Sequence, residues 1–141
     1  MMAEGSHNAL HVHAVWSTHR RQPLLVSQLD QELFRFIRLK LTQLNCMPRA
    51  VGGTDDHVHV LVSFRPALPI ARLVAELKGA SSHFANHELG LGGRFGWQAG
   101  YSAFTVSNVD LPAVGRYVTD QRAHHASGGT EPAWECLGDP G

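Results

Sequence analysis

With 141 residues the chain has room for one domain with a real core, and its 43% hydrophobic share is that of a soluble globular protein. Twelve Lys and Arg balance twelve Asp and Glu, which excludes a histone-like binder that coats polyanions through bulk positive charge. Cys46 and Cys136 stand far apart, without metal-ligand or redox spacing, and the longest apolar run, Val58 to Phe64, is interrupted by His59 and Ser63. A disulfide framework and a membrane span are therefore excluded, and the expectation is a cytoplasmic protein. Ten histidines are the unusual feature.

In chain order, Leu10 to Ser17 reads as a strand with His11, His13, Val15 and Ser17 on one face and Leu10, Val12, Ala14 and Trp16 on the other. After a turn over His19 to Pro23, Ser27 is placed to cap a helix whose Leu33, Phe34, Ile37, Leu41 and Leu44 follow the 3.6-residue period. Met47 to Gly53 is a second strand. A Gly and Asp turn leads into a third, His57 to Phe64, with His57, His59, Leu61 and Ser63 on one face and valines on the other. A second helix starts near Pro69 and carries Ile70, Leu73, Val74, Leu77, Ala80 and Phe84 on one stripe. Four glycines make Leu89 to Gly96 a flexible connection. Trp97 to Val106 reads as a fourth strand, and a third helix runs from about Asn108 or Asp110 to about His125. Residues 1–126 thus form the domain, and the Gly, Pro and acid-rich 127–141 a partly mobile tail.

This order predicts an α+β fold, a ferredoxin-like β-α-β-β-α-β antiparallel sheet with helices on one face plus a C-terminal helix. The first and third strands are then central neighbours, and the histidines share the open face.

His57-Val58-His59 places two imidazoles on the same side of a strand, where they can grip one divalent cation. Alone, such a pair is more often two half-exposed strand histidines. A histidine-triad hydrolase would need a third His where Leu61 stands, a cupin a Glu near Ser63 and Phe64, and a metal-dependent amidohydrolase a much larger barrel. Tyr117 and Gln121, four apart, fall on one helix face; the tyrosine can attack a phosphodiester and the glutamine can offer an amide oxygen to a cation. Read alone, Tyr117 packs on the core beside Val114 and Val118.

Five blocks taken together resemble the insertion-sequence-200-like transposases, single-tyrosine HUH endonucleases related to the repeat-associated tyrosine transposases. They are HVHAVWSTHRRQPLL (11–25), DHVHVLVSF (56–64), LKGASSHF (77–84), WQAGYSAFTVS (97–107) and YVTDQRAHH (117–125). The resemblance implies that His57, His59 and Gln121 hold Mg²⁺ or Mn²⁺ and that Tyr117 is the nucleophile, forming a 5′-phosphotyrosine on single-stranded DNA with a free 3′-hydroxyl. It further implies a homodimer acting on hairpin-bearing element ends. His13 and Asp56 are supporting residues in this reading, and Arg20, Arg21, Lys78, Ser81 and Ser82 are candidates for DNA contact. Trp97 and Tyr101 are candidates for base stacking, while His124 and His125 match the family without a derived purpose.

The neutral charge departs from the basic character expected of the family. It resolves into a basic stretch over 19–49 (Arg20, Arg21, Arg35, Arg38, Lys40, Arg49) and an acidic end. This keeps open a non-catalytic, decayed or domesticated module that binds single-stranded nucleic acid on the same fold. A phosphohydrolase without a covalent step is the third reading.

Overall fold

The computed structural model describes residues 10–64 and 68–121. In chain order they form β1 (Leu10–Ser17), a 3₁₀ turn (His19–Arg21), α1 (Leu29–Gln43), β2 (Met47–Gly53), β3 (His57–Phe64), α2 (Ile70–His87), β4 (Ser102–Val106) and α3 (Leu111–Thr119). The four strands make one antiparallel sheet in the order β2-β3-β1-β4, so the two histidine-bearing strands are the central pair. The predicted tail at 127–141, with His124 and His125, lies outside the described residues.

Alternation along β1 and β3 divides the core in two. Val12, Ala14, Trp16, Val58, Val60 and Val62 point toward α1 and α2, where they meet Leu33, Ile37, Leu41, Leu73, Val74 and Leu77 in the main apolar cluster. On the other face Ala50 and Leu61 meet Val114 and Val118 of α3. The histidine face is therefore not open as the sequence suggested, because α3 folds back over β2 and β3. Gly52 permits that approach: a Cβ there would stand 2.1 Å from the Val118 carbonyl oxygen.

Local details differ from the sequence reading for identifiable reasons. Ser27 does not cap α1; Ser27 and Gln28 both take left-handed backbone angles (φ 56° and 70°), and the helix starts from Gln28 without a side-chain cap. Acidic Asp30 and Glu32 in its first turn complement the helix dipole instead. The fourth strand begins at Ser102 rather than Trp97, because Trp97 is used elsewhere, forming an isolated bridge with Thr18 and donating its indole N–H to Ser81 Oγ at 2.9 Å. The glycine-rich 89–96 connection is pinned rather than loose: Asn86 Oδ1 accepts from the backbone N–H of Gly93 and Phe95, and Asn86 Nδ2 donates to the Phe95 carbonyl. Phe95 itself is in the core.

Candidate active site

The β1–β3 register sets Ser17 against His57, Val15 against His59 and His13 against Leu61. His13 and His59 are consequently diagonal neighbours on one sheet face, close enough for long side chains to touch. His13 Nε2 lies 2.7 Å from His59 Nδ1, and the rings stack with centroids 4.9 Å apart. One step along β3, the His57 ring centroid is 5.0 Å from that of His59. All three imidazoles are buried.

His57 Nδ1 is held from the turn before β3, with Asp56 Oδ1 at 2.8 Å and Thr54 Oγ1 at 2.8 Å. A carboxylate oxygen only accepts, so His57 Nδ1 carries a proton and donates it to Asp56. Arg21, brought alongside by the 3₁₀ turn after β1, places Nε 3.3 Å from Asp56 Oδ2. Burial by itself would push the Asp56 carboxyl upward, but the His57 hydrogen bond and the Arg21 charge outweigh it and hold it at about 2. At neutral pH Asp56 is therefore a fixed negative charge behind His57.

Both histidines of the pair are thus gripped at Nδ1, His57 by a carboxylate and His59 by another imidazole. That is the arrangement in which outer partners fix the tautomer and aim Nε2 at a metal. Among the described residues no cluster of three His, Cys, Asp or Glu is present to hold a cation.

Tyr117 reaches this place from α3. It is buried, with its ring edge-on to His59 at 5.9 Å between centroids and to His13 at 6.4 Å. The helix runs to Thr119, and the predicted extension to about His125 reaches past the described residues. Gln121, just past the end, is fully buried, and its Nε2 donates to the Tyr117 carbonyl at 2.9 Å. That bond restrains the amide and leaves Oε1 as its acceptor end. Tyr117 therefore lies on the histidine side of the sheet, with Gln121 hydrogen-bonded to its backbone.

The other sequence candidates are spread out. Lys78, Ser81 and Ser82 are on α2, across the sheet from the histidines. Lys78 Nζ donates to the carbonyls of Gln98 (2.7 Å) and Gly100 (3.0 Å), and burial pushes its pKa down. Ser81, expected at a DNA surface, is instead fully buried and accepts from Trp97; Ser82 is half-buried. Arg20 is exposed, while Arg21 is committed to Asp56. Tyr101 is exposed. Sequence reasoning missed Thr54 and the Arg21–Asp56 pairing. The signal available was the Thr-Asp-Asp-His run, which puts a hydroxyl and a carboxylate within three residues of His57.

Comparison with known proteins adds family context. Residues 6–121 match the family model described as "Transposase IS200 like". The ISDra2 transposase TnpA of Deinococcus radiodurans is 27% identical over 117 residues, covering 79% of this chain and 84% of the relative. A crystal structure of a candidate transposase from D. radiodurans R1 superposes with a TM-score of 0.66 at 27% identity, covering 84% of this chain and 95% of that one. A REP-associated tyrosine transposase solved with a REP hairpin shares the fold, with a TM-score of 0.60 at 18% identity over 92% of this chain and 76% of that one.

Proposed function

The chain belongs to the IS200-like transposase family, and from that membership we propose that it cleaves and rejoins single-stranded DNA through a covalent bond to Tyr117. The observation that carries this reading is the edge-on approach of the Tyr117 ring to His59, one of two buried histidines whose Nδ1 atoms are already engaged. A buried tyrosine serving only as core would not need an imidazole pair with a carboxylate behind it.

In the proposed reaction the Tyr117 phenolic oxygen, having given up its proton, attacks the phosphorus in line. The Tyr O–P bond forms as the P–O3′ bond breaks, and the departing oxygen takes a proton to become a free 3′-hydroxyl. Attack of a 3′-hydroxyl on the phosphotyrosine reverses the process, so rejoining needs no nucleotide cofactor. Mg²⁺ or Mn²⁺ held by His57, His59 and Gln121 would supply positive charge to the non-bridging phosphate oxygens. His13 and Asp56 orient the two imidazoles, Arg21 keeps Asp56 ionised, and Gln121 is restrained by the Tyr117 carbonyl.

The DNA is proposed to carry hairpins, in keeping with the REP hairpin bound by the structural relative, and a homodimer is the proposed assembly. Arg20 and Ser82 remain the proposed phosphate contacts, whereas Lys78 is committed to the Gln98 and Gly100 carbonyls, Arg21 to Asp56, and Ser81 to the core. The balanced charge keeps a second reading in view, a decayed or domesticated, non-catalytic module that binds single-stranded nucleic acid on the same fold. One assay decides: labelled hairpin-bearing single strands are incubated with the protein and Mn²⁺, then resolved under denaturing conditions. A protein–DNA adduct that disappears in Tyr117→Phe and in His57→Ala is expected. Cleavage that persists unchanged in Tyr117→Phe, or binding without any adduct across divalent metals, would overturn the covalent mechanism.

A further inference from the structure

Two histidines of α2 take no part in the sheet site. His83 and His87 lie on α2, which packs on the valine face of the sheet, and both are exposed. Four residues apart, they are neighbours on adjacent turns, and their rings stack at 4.1 Å between centroids and 26° between planes. The turn that bears them is anchored from beneath. Phe84 stacks on Phe36 at 4.3 Å, Ala85 is fully buried, and Asn86 ties down the connection that follows. The pair therefore stands on a rigid support and faces solvent.

We propose that His83 and His87 form a second metal site, a two-imidazole clamp for a borderline divalent transition cation such as Cu²⁺, Ni²⁺ or Zn²⁺, with water completing the coordination. Imidazole suits these ions, whereas Mg²⁺ prefers oxygen. The site thus differs in chemistry from the catalytic centre proposed for His57, His59 and Gln121. It also lies at the C-terminal end of an 18-residue helix, the negative end of the helix dipole. Closing a chelate across one helical turn orders few additional atoms, because α2 is already packed. The inference does not depend on the transposase reading.

Ten histidines make a bulk titration ambiguous, so the test is site-resolved. The full-length protein is treated with diethylpyrocarbonate across a series of Ni²⁺, Cu²⁺, Zn²⁺ or Mg²⁺ concentrations, and modification at each histidine is read by mass spectrometry. His83 and His87 are expected to become protected together, at lower concentrations of Cu²⁺ than of Ni²⁺, and not by Mg²⁺. In His83→Gln, protection of His87 should require at least about tenfold more metal, since losing a ligand costs no less than losing a ligand's outer partner. Protection of His87 at an unchanged concentration in His83→Gln would overturn the clamp, as would equal reactivity of both residues with and without every transition metal. The substitution is on the solvent face of α2, so circular dichroism should be unchanged.

Discussion

His13 Nε2 sits 2.7 Å from His59 Nδ1, joining the two central strands through their side chains on the face that also receives Tyr117. For His59 to present Nε2 as a ligand, its Nδ1 must carry the proton and His13 Nε2 must accept it. In the proposed site His13 is the outer partner of a ligand and not itself a ligand. Replacing it with alanine is expected to raise the Mn²⁺ concentration needed for half-maximal cleavage by about 10–100-fold. His13→Gln, which can still accept a hydrogen bond, should recover part of that loss. An unchanged metal requirement in His13→Ala would show that His59 is held by something else.

Arg21, Asp56 and His57 form a line from the turn after β1 to the sheet site. Asp56→Asn keeps the shape but removes the charge that accepts the His57 Nδ1 proton, and it should raise the Mn²⁺ concentration needed for half-maximal cleavage by about tenfold or more. Arg21→Ala acts one step further out, at a side chain 29% exposed, so its effect should be smaller and more sensitive to salt. The two effects should be less than additive in a double variant, because both pass through the same carboxylate. The measurement is again the Mn²⁺ dependence of cleavage.

Gly52 is a place where α3 comes close to the sheet. A methyl group there would meet the Val118 carbonyl oxygen at 2.1 Å, so α3 or the end of β2 must shift. Gly52→Ala is expected to lower stability by about 1–3 kcal/mol, as overpacking does. Adduct formation should fall more steeply than thermal stability, because the shift lands one residue from Tyr117. Gly79→Ala is the control: nothing lies within 4 Å of its Cβ position, and helix propensity favours alanine there. A Gly52→Ala protein with full activity would mean that α3 does not work from the position seen here.

The sheet was legible because β1 and β3 alternate cleanly, and because the Gly and Asp residues between Gly52 and Asp56 mark the turn joining β2 to β3. The site's members were legible one by one, from spacing and from resemblance. What held them together was not. The His13–His59 bond, the Arg21–Asp56 pair and the seating of α3 over the histidines are all long-range, and nothing local to either partner encodes them. Ser81 is a different case. It falls four residues from both Leu77 and Ala85, on the buried row of α2, and periodicity alone could have moved it from the DNA surface to the core. Trp97 was misassigned because a β-prone aromatic reads as strand, whereas its indole N–H needs an acceptor and finds one in Ser81.

At the other end of the same sheet face, His11 is bound on both ring nitrogens. Arg49 Nε donates to Ser63 Oγ at 2.9 Å, Ser63 faces His11 Nδ1 at 2.6 Å, and His11 Nε2 faces Asn108 Oδ1. With Ser63 donating onward and Asn108 accepting, the chain runs in one direction from β2 through β3 and β1 to the connection that precedes α3. Asn108 is thus a polar tie between the connection that precedes α3 and the central strands, beside the apolar packing of Val114 and Val118. Asn108→Ala removes an acceptor from an almost fully buried imidazole and should cost about 1–3 kcal/mol of stability. It leaves the proposed metal ligands untouched. The expected signature is a slower single-turnover rate of adduct formation, with DNA affinity and Mn²⁺ requirement close to those of the unaltered protein. Asn108→Asp, which retains an acceptor, should restore the rate in part. A loss of metal affinity in Asn108→Ala comparable to that of His13→Ala would instead mean that the two ends of the histidine face behave as one unit, and that α3 is not anchored separately.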